Sequence, residues 1–193
     1  MLLSANIFTV SIANPIVFTT INGRESYFNY PRTGSNGFEL EYSIKDFWGF
    51  VNLNYSFYQP NDNQVPEYAI AGVNNALLGF AQHKATLNSS FRLFDDNISI
   101  NPSATFLSER FGYAGDDAIG NPQFQRFAPI LLLNAFLQWR NIASVQGLDI
   151  GIGAYDILGA NYAFIQPYNA GNQPLPGPSR EFVVRAAYTL SFQ

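Results

Sequence analysis

Residues 180–193 read "REFVVRAAYTLSFQ". Phe182, Val184, Ala186, Tyr188, Leu190 and Phe192 alternate with Val183, Arg185, Ala187, Thr189 and Ser191. A side-chain period of two belongs to a β-strand whose two faces meet different surroundings. Here one face is apolar, the other is more polar, and an aromatic stands next to the last residue.

The pattern recurs toward the N-terminus. "ANIFTVSI" (5–12) sets Phe8, Val10 and Ile12 on one face, and "GFELEYSI" (37–44) sets Phe38, Leu40, Tyr42 and Ile44 against Glu39, Glu41 and Ser43. "GFVNLNYSFY" (49–58), "KATLNSSFRL" (84–93), "NISINPSATF" (97–106), "LLLNAFLQWR" (131–140) and "LDIGIGAYD" (148–156) follow the same rule. With the last run this makes eight strands and no amphipathic helix. Glu39, Glu41, Lys84, Arg92, Arg140, Asp149 and Arg185 all fall on the polar face. Two residues do not fit. Pro102 has no N–H for a ladder, which predicts a bulge, and Ser89 interrupts its apolar row.

Composition narrows the setting. The chain of 193 residues is 47% hydrophobic, 16% aromatic and only 12% charged. That charged share is about half of the ~25% usual in soluble domains. A net charge of -4 argues against a nucleic-acid partner. Without cysteine there is neither a disulfide framework nor a thiolate metal site. No run of roughly 18 apolar residues predicts a transmembrane helix. The opening "MLLSANIFTVSIANP" reads as a strand, since it lacks a basic leader. Either an export signal has been removed or the chain is part of something longer.

The connections alternate in length. Short links fall near 45–46, 95–96 and 141–147, and long ones rich in Gly, Pro, Asn and Tyr span roughly 14–34, 59–79, 108–128 and 157–180. Short turns at one end and long loops at the other predict an antiparallel up-and-down transmembrane β-barrel segment. Strands of about 10 residues at ~3.3 Å, tilted ~40°, cover an apolar band of on the order of 25 Å. Phe47, Trp48, Phe94, Trp139 and Phe192 cluster at the short-turn end, and Phe57, Tyr58, Phe80, Phe106 and Phe182 at the loop end. Two such groups predict interfacial girdles. The soluble alternative, a lipocalin-like barrel or a sandwich, predicts more Lys and Glu on the polar rows than these Asn, Ser and Thr faces hold.

From about residue 5 onward, the chain resembles the C-terminal part of the barrel of TonB-dependent outer-membrane receptors. "ANIFTVSIANPIVF", "RTGSNGFELEYSIKDFWGFVNLNYSFY", "LLNAFLQWRN", "LDIGIGAYDILGANYAFIQPY" and "SREFVVRAAYTLSF" carry the resemblance through their order, spacing and position. Family members often turn on a Tyr-Asn-Leu-Phe-like segment before the last outer loop. Here Asp156 stands where Asn is usual, and Gln193 follows the expected terminal aromatic. The resemblance implies a barrel of about 22 strands filled by a plug, of which residues 1–193 supply a C-terminal part without plug or TonB box. It implies the bacterial outer membrane as location and TonB-dependent uptake of a siderophore, oligosaccharide or similar nutrient as function. Its implied partners are lipid, the plug, the remaining strands, the TonB system and a small-molecule ligand. A self-contained eight-stranded outer-membrane barrel with a structural or adhesive role is the alternative.

Chemistry-bearing candidates are few. His83 has no partners at catalytic or metal-ligand spacing and reads as a rim residue. Asp116-Asp117 lacks the spacing of a calcium loop. Gly151 and Gly153 precede no helix, so they relieve crowding on the polar face and bind no phosphate. Glu39 and Glu41 point the same way, as polar-face charges and not as a catalytic pair. No enzyme activity and no cofactor is expected. The loops hold the ligand-binding potential, and Arg110, Tyr113, Arg126 and Tyr168 are its candidates, because Arg and Tyr stack on and hydrogen-bond to polar ligands.

Overall fold

The computed structural model describes residues 1–21, 24–94, 97–119, 122–142, 145–165 and 173–190. Eight strands form one antiparallel sheet: β1 (Leu2–Ala13), β4 (Arg32–Asp46), β5 (Gly49–Pro60), β6 (His83–Leu93), β7 (Ile98–Leu107), β10 (Ile130–Trp139), β11 (Leu148–Tyr155) and β14 (Glu181–Tyr188). Each pairs with its neighbours in chain order, so the sheet is a meander. Among the described residues β1 and β14 are not paired with each other, and the sheet is open at both edges.

The long links are structured. β2 (Ile16–Ile21) and β3 (Arg24–Asn29) form a hairpin, as do β8 (Arg110–Asp116) with β9 (Pro122–Phe127) and β12 (Ala163–Phe164) with β13 (Leu175–Pro176). The β2–β3 hairpin extends the β1–β4 ladder in the same register, and the β8–β9 hairpin does so for β7–β10 as far as Tyr113, beyond which it shifts by one residue before Gly115. The link between β5 and β6 holds a short 3-10 turn, Pro66–Tyr68.

Cross-strand partners share a face, so register separates the two surfaces. Phe38 faces Phe57, Leu40 faces Tyr55, and Leu137 faces Ile152, which makes one face apolar. Glu39 faces Ser56, Asn54 faces Thr86, and Gly151 faces Arg185 on the other. Polar side chains there bond across strands. Ser43 Oγ donates to Asn52 Oδ1 at 2.6 Å, and Asn134 Nδ2 donates to Ser103 Oγ at 3.2 Å. The apolar face stands open, with Ile7 85% exposed and Val184 77%.

The residues with buried apolar side chains lie mostly in the links. Ile70, Ala76 and Leu78 form a small core with Val73 and Phe111 packed against it, and Val65 is also buried. Hydrogen bonds from Asn61 N to Gly34 O (3.0 Å) and Gln64 N to Arg32 O (2.9 Å) tie this link to β4.

Register changes several expectations. Phe8 pairs with Gly37, Val10 with Ser35 and Ile12 with Thr33, so that row of β1 lies on the polar face, while Ile7 faces Phe38. The reason is the folded link, because Val10 and Ile12 line a cavity with Tyr68, Leu77 and Phe80. Tyr58 joins the same side, pairing with Gly37 and meeting Phe80 edge-on at 6.2 Å. Tyr58, near the end of β5, and Phe80, in the link, therefore meet on the polar side and not in a lipid-facing girdle. The loop-end belt on the apolar face is built from Phe38, Tyr55, Phe57 and His83, with centroids 5.0–5.7 Å apart for the Phe38–Tyr55, Phe38–Phe57 and Phe57–His83 pairs.

Pro102 makes no bulge. Both of its ladders hold one register throughout, and the β6–β7 ladder only skips Ser89 and Ser90. The first short turn is Phe47-Trp48, two residues beyond 45–46, between the paired Asp46 and Gly49. Gly49 has φ +134°, and a Cβ there would meet Ser90 O at 1.9 Å. Trp48 stacks on Phe91 with centroids 5.8 Å apart. Asp95, Asp96, Phe192 and Gln193 lie outside the described residues.

Candidate functional site

The β8–β9 hairpin carries three of the four candidates. Arg110 pairs with Phe127 and Tyr113 with Phe124. Successive strand residues alternate sides, so Arg110 projects from one face of the hairpin and Tyr113 from the other. Tyr113 is buried, donates its hydroxyl to Asp116 Oδ1 at 2.8 Å, and meets Phe124 edge-on at 6.3 Å. The bond to Asp116 raises the Tyr113 pKa above the usual tyrosine value. Arg126 is exposed and forms an ion pair, Nη2 to Oε2, with Glu109. The fourth candidate, Tyr168, lies outside the described residues. The structure thus does not bring Arg110, Tyr113 and Arg126 together as one site.

Arg110 is different in kind. It is only 8% exposed, its Nη2 donates to Ala163 O at 3.4 Å, and its buried Nε has no partner. Burial pulls its pKa below the usual arginine value, although a guanidinium stays ionised in proteins. It borders a cavity of about 350 Å³ walled by Phe127, Ile130, Tyr162, Ala163, Pro174 and Pro176. Sequence reasoning singled out Arg110 but not Tyr162 or Phe127, which reach it from a neighbouring link and the paired strand.

The remaining candidates have structural roles. Asp116 is engaged by Tyr113, and Asp117 Oδ1 accepts from Ile119 N at 3.0 Å within the hairpin tip. His83 lies on the apolar face, with Tyr55 Oη 2.7 Å from its Nδ1. Glu39 and Glu41 line a polar groove of about 340 Å³ with Lys84, and Asn6 Nδ2 donates to Glu39 Oε2 at 3.3 Å. Gly151 and Gly153 lie under the Phe136 ring, where a Cβ on either would come within 2.4 Å of it. Asp156 adopts φ +47°, a conformation that Asn and Asp tolerate best, and its Oδ1 accepts from Ala160 N at 2.9 Å. Among the described residues no three His, Cys, Asp or Glu gather as a metal site.

No protein-family model and no curated protein matches the chain. Solved structures match its fold. The ferric-catecholate import receptor Fiu of E. coli K12 aligns with TM-score 0.73 and 22% identity over 96% of this chain and 25% of its own. The pyoverdine outer-membrane receptor FpvA of Pseudomonas aeruginosa aligns with TM-score 0.76 and 12% identity over 97% and 27%. The FrpB iron transporter of Neisseria meningitidis gives 0.63 and 14% over 96% and 28%. The resemblance to TonB-dependent receptors expected from the sequence is therefore present as a likeness of fold, and the chain spans about a quarter of the structures it matches.

Proposed function

We propose that residues 1–193 form a C-terminal part of the barrel wall, with its outer loops, of a TonB-dependent outer-membrane receptor that takes up a small nutrient. One observation carries this reading: an open eight-stranded meander has an exposed apolar face and a hydrogen-bonded polar face. In water the exposed apolar rows would be unfavourable by about 25 cal/mol per Å². Against hydrocarbon they are at no disadvantage, and the polar face then lines a wet lumen. Unpaired edges in a bilayer cost several kcal/mol per group, which calls for the remaining strands of a wider barrel. A self-closed eight-stranded barrel would need β1 against β14, a pairing that the described residues do not make.

Loops with their own small core suit ligand capture above the wall. The matched proteins are named for ferric-catecholate import, pyoverdine binding and iron transport, and a ferric siderophore is accordingly the first ligand class to test. The partners in this reading are lipid, the plug domain, the other barrel strands and the TonB system. No residue of the chain is assigned chemistry.

Cells producing the complete protein that carries these residues should accumulate iron from a ferric siderophore, and deleting TonB should abolish the accumulation. Uptake that persists without TonB, or no uptake of any siderophore or oligosaccharide offered, would overturn the reading.

A further inference from the structure

We infer that the cavity beside Arg110 binds a small organic carboxylate with a flat apolar body, held by the Arg110 guanidinium. The inference rests on the receptor reading of the outer loops and adds the class of group that one of them takes.

Among the described residues there is a buried cation at Arg110 and no anion beside it. A guanidinium offers five N–H donors, and among the described residues Arg110 makes one bond, the long one to Ala163 O. A buried charge is costly unless it is paired. Glu109, next in sequence, is engaged by Arg126, and Asp116 by Tyr113. The segment 166–172, which follows the stretch lining the cavity, contains neither Asp nor Glu.

The surroundings indicate what would complete the site. The planar fork of Arg matches a carboxylate bidentately. Phe127, Ile130, Tyr162, Pro174 and Pro176 line the cavity together with the polar Asn161, so apolar surface lies within reach of the guanidinium. A charged head at one wall and flat apolar surfaces elsewhere suit an aryl or short alkyl acid better than an inorganic anion, which would leave those walls unused.

Benzoate is the probe, benzamide its neutral isostere, and chloride at equal ionic strength the salt control. Titrated calorimetrically into the purified complete protein in detergent, benzoate should bind saturably, roughly ten-fold or more tighter than benzamide, because one bond becomes charge-assisted. Arg110→Gln should erase the difference, and Arg126→Gln should leave it. Ala128→Trp places a ring at an exposed position on the cavity wall and should abolish benzoate binding with Arg110 intact. If Arg110→Gln fails to fold, the benzoate-to-benzamide ratio and the Ala128→Trp variant still decide. Equal affinity for the two probes, no benzoate binding, or binding that survives Ala128→Trp would overturn the inference. A carboxylate from elsewhere in the same polypeptide would show itself as no benzoate binding. Because binding is read separately from uptake, loss of TonB-dependent uptake with benzoate binding retained would refute the receptor reading alone.

Discussion

The Ser89 hydroxyl donates to the Pro102 carbonyl at 3.0 Å, across the gap that Pro102 leaves in the β6–β7 ladder. The two residues that break the sequence pattern thus answer each other. Proline removes a backbone donor from the ladder, and a serine in the facing apolar row adds a different bond across the gap, from its hydroxyl to the proline's own carbonyl. Ser89→Val should cost about 1 kcal/mol by removing this bond from a partly buried carbonyl. In a Pro102→Val background, where the ladder can close normally, the same change should cost less. Folding titrations of the complete protein in lipid vesicles measure both. Equal costs in the two backgrounds would mean that the serine is not there on account of the proline.

Two polar-face rings lie on cross-strand glycines, Phe136 on Gly153 and Phe8 on Gly37. A Cβ at Gly153 would meet the Phe136 ring at 2.4 Å and backbone only at 3.3 Å. A Cβ at Gly37 would meet the carbonyl of Phe57 at 2.2 Å. Each Gly→Ala change should destabilise by about 1–3 kcal/mol through overpacking. Phe136→Leu should recover much of the loss at Gly153, whereas Phe8→Leu should recover little at Gly37, where the obstacle is backbone. Recovery at both sites would contradict this account.

Most of the wall was legible because a period of two, with charged, amide or hydroxyl side chains on one side, admits one assignment in seven of the eight runs. β1 was misread for a physical reason. Ile7 and Phe8 put apolar groups on both of its rows, and only pairing with β4 shows that Phe8, Val10 and Ile12 lie on the polar face, with Val10 and Ile12 beside the link. The candidate site was half legible. Loop composition singled out Arg110, Tyr113 and Arg126, but the hairpin register, which no residue announces, puts Arg110 on the opposite side from the other two, and Arg126 is taken up by an ion pair with Glu109.

The faces themselves can be tested by charge. Leu133 and Ile150 are on the apolar face, and Asn88 on the polar face is exposed. Arg at Leu133 or Ile150 should cost about 2–4 kcal/mol in a bilayer, and Arg at Asn88 far less. Asn134 and Gly151 are unsuitable controls, since Asn134 Oδ1 accepts from Asp156 N at 2.9 Å and Gly151 lies under Phe136. Similar losses on both faces, measured in lipid vesicles, would remove the lipid assignment.

Tyr30 donates its hydroxyl to Glu67 Oε1 at 2.5 Å, and this bond pushes its pKa from 10.0 up to about 12. The protonated phenol is thus favoured by folding. The contribution is fully present below pH 10.0 and is lost as pH rises toward about 12. In a tyrosinate absorbance titration, Tyr30→Phe should remove one of the late-titrating residues, and Glu67→Ala should shift one back toward 10.0. A titration unchanged by Glu67→Ala would refute the coupling.

Sidedness follows from two equally exposed residues at opposite ends of the sheet. Ile119, at the tip of the β8–β9 hairpin, is 84% exposed, and Phe47, in the turn between β4 and β5, is 83% exposed. Their local accessibility is the same, so any difference in reactivity within a cell reports what lies between them. If the long links face outward, Ile119→Cys in the complete protein should react on intact cells with a membrane-impermeant maleimide. Phe47→Cys should stay unlabelled until the outer membrane is permeabilised, because the reagent cannot reach the periplasmic side. Residues 1–193 contain no cysteine, so this part of the protein contributes no background, and the complete protein without either substitution is the control. Labelling of Phe47→Cys but not Ile119→Cys on intact cells would invert the topology. Labelling of both would mean that the sheet separates no compartments, and the membrane reading of its apolar face would fail with it.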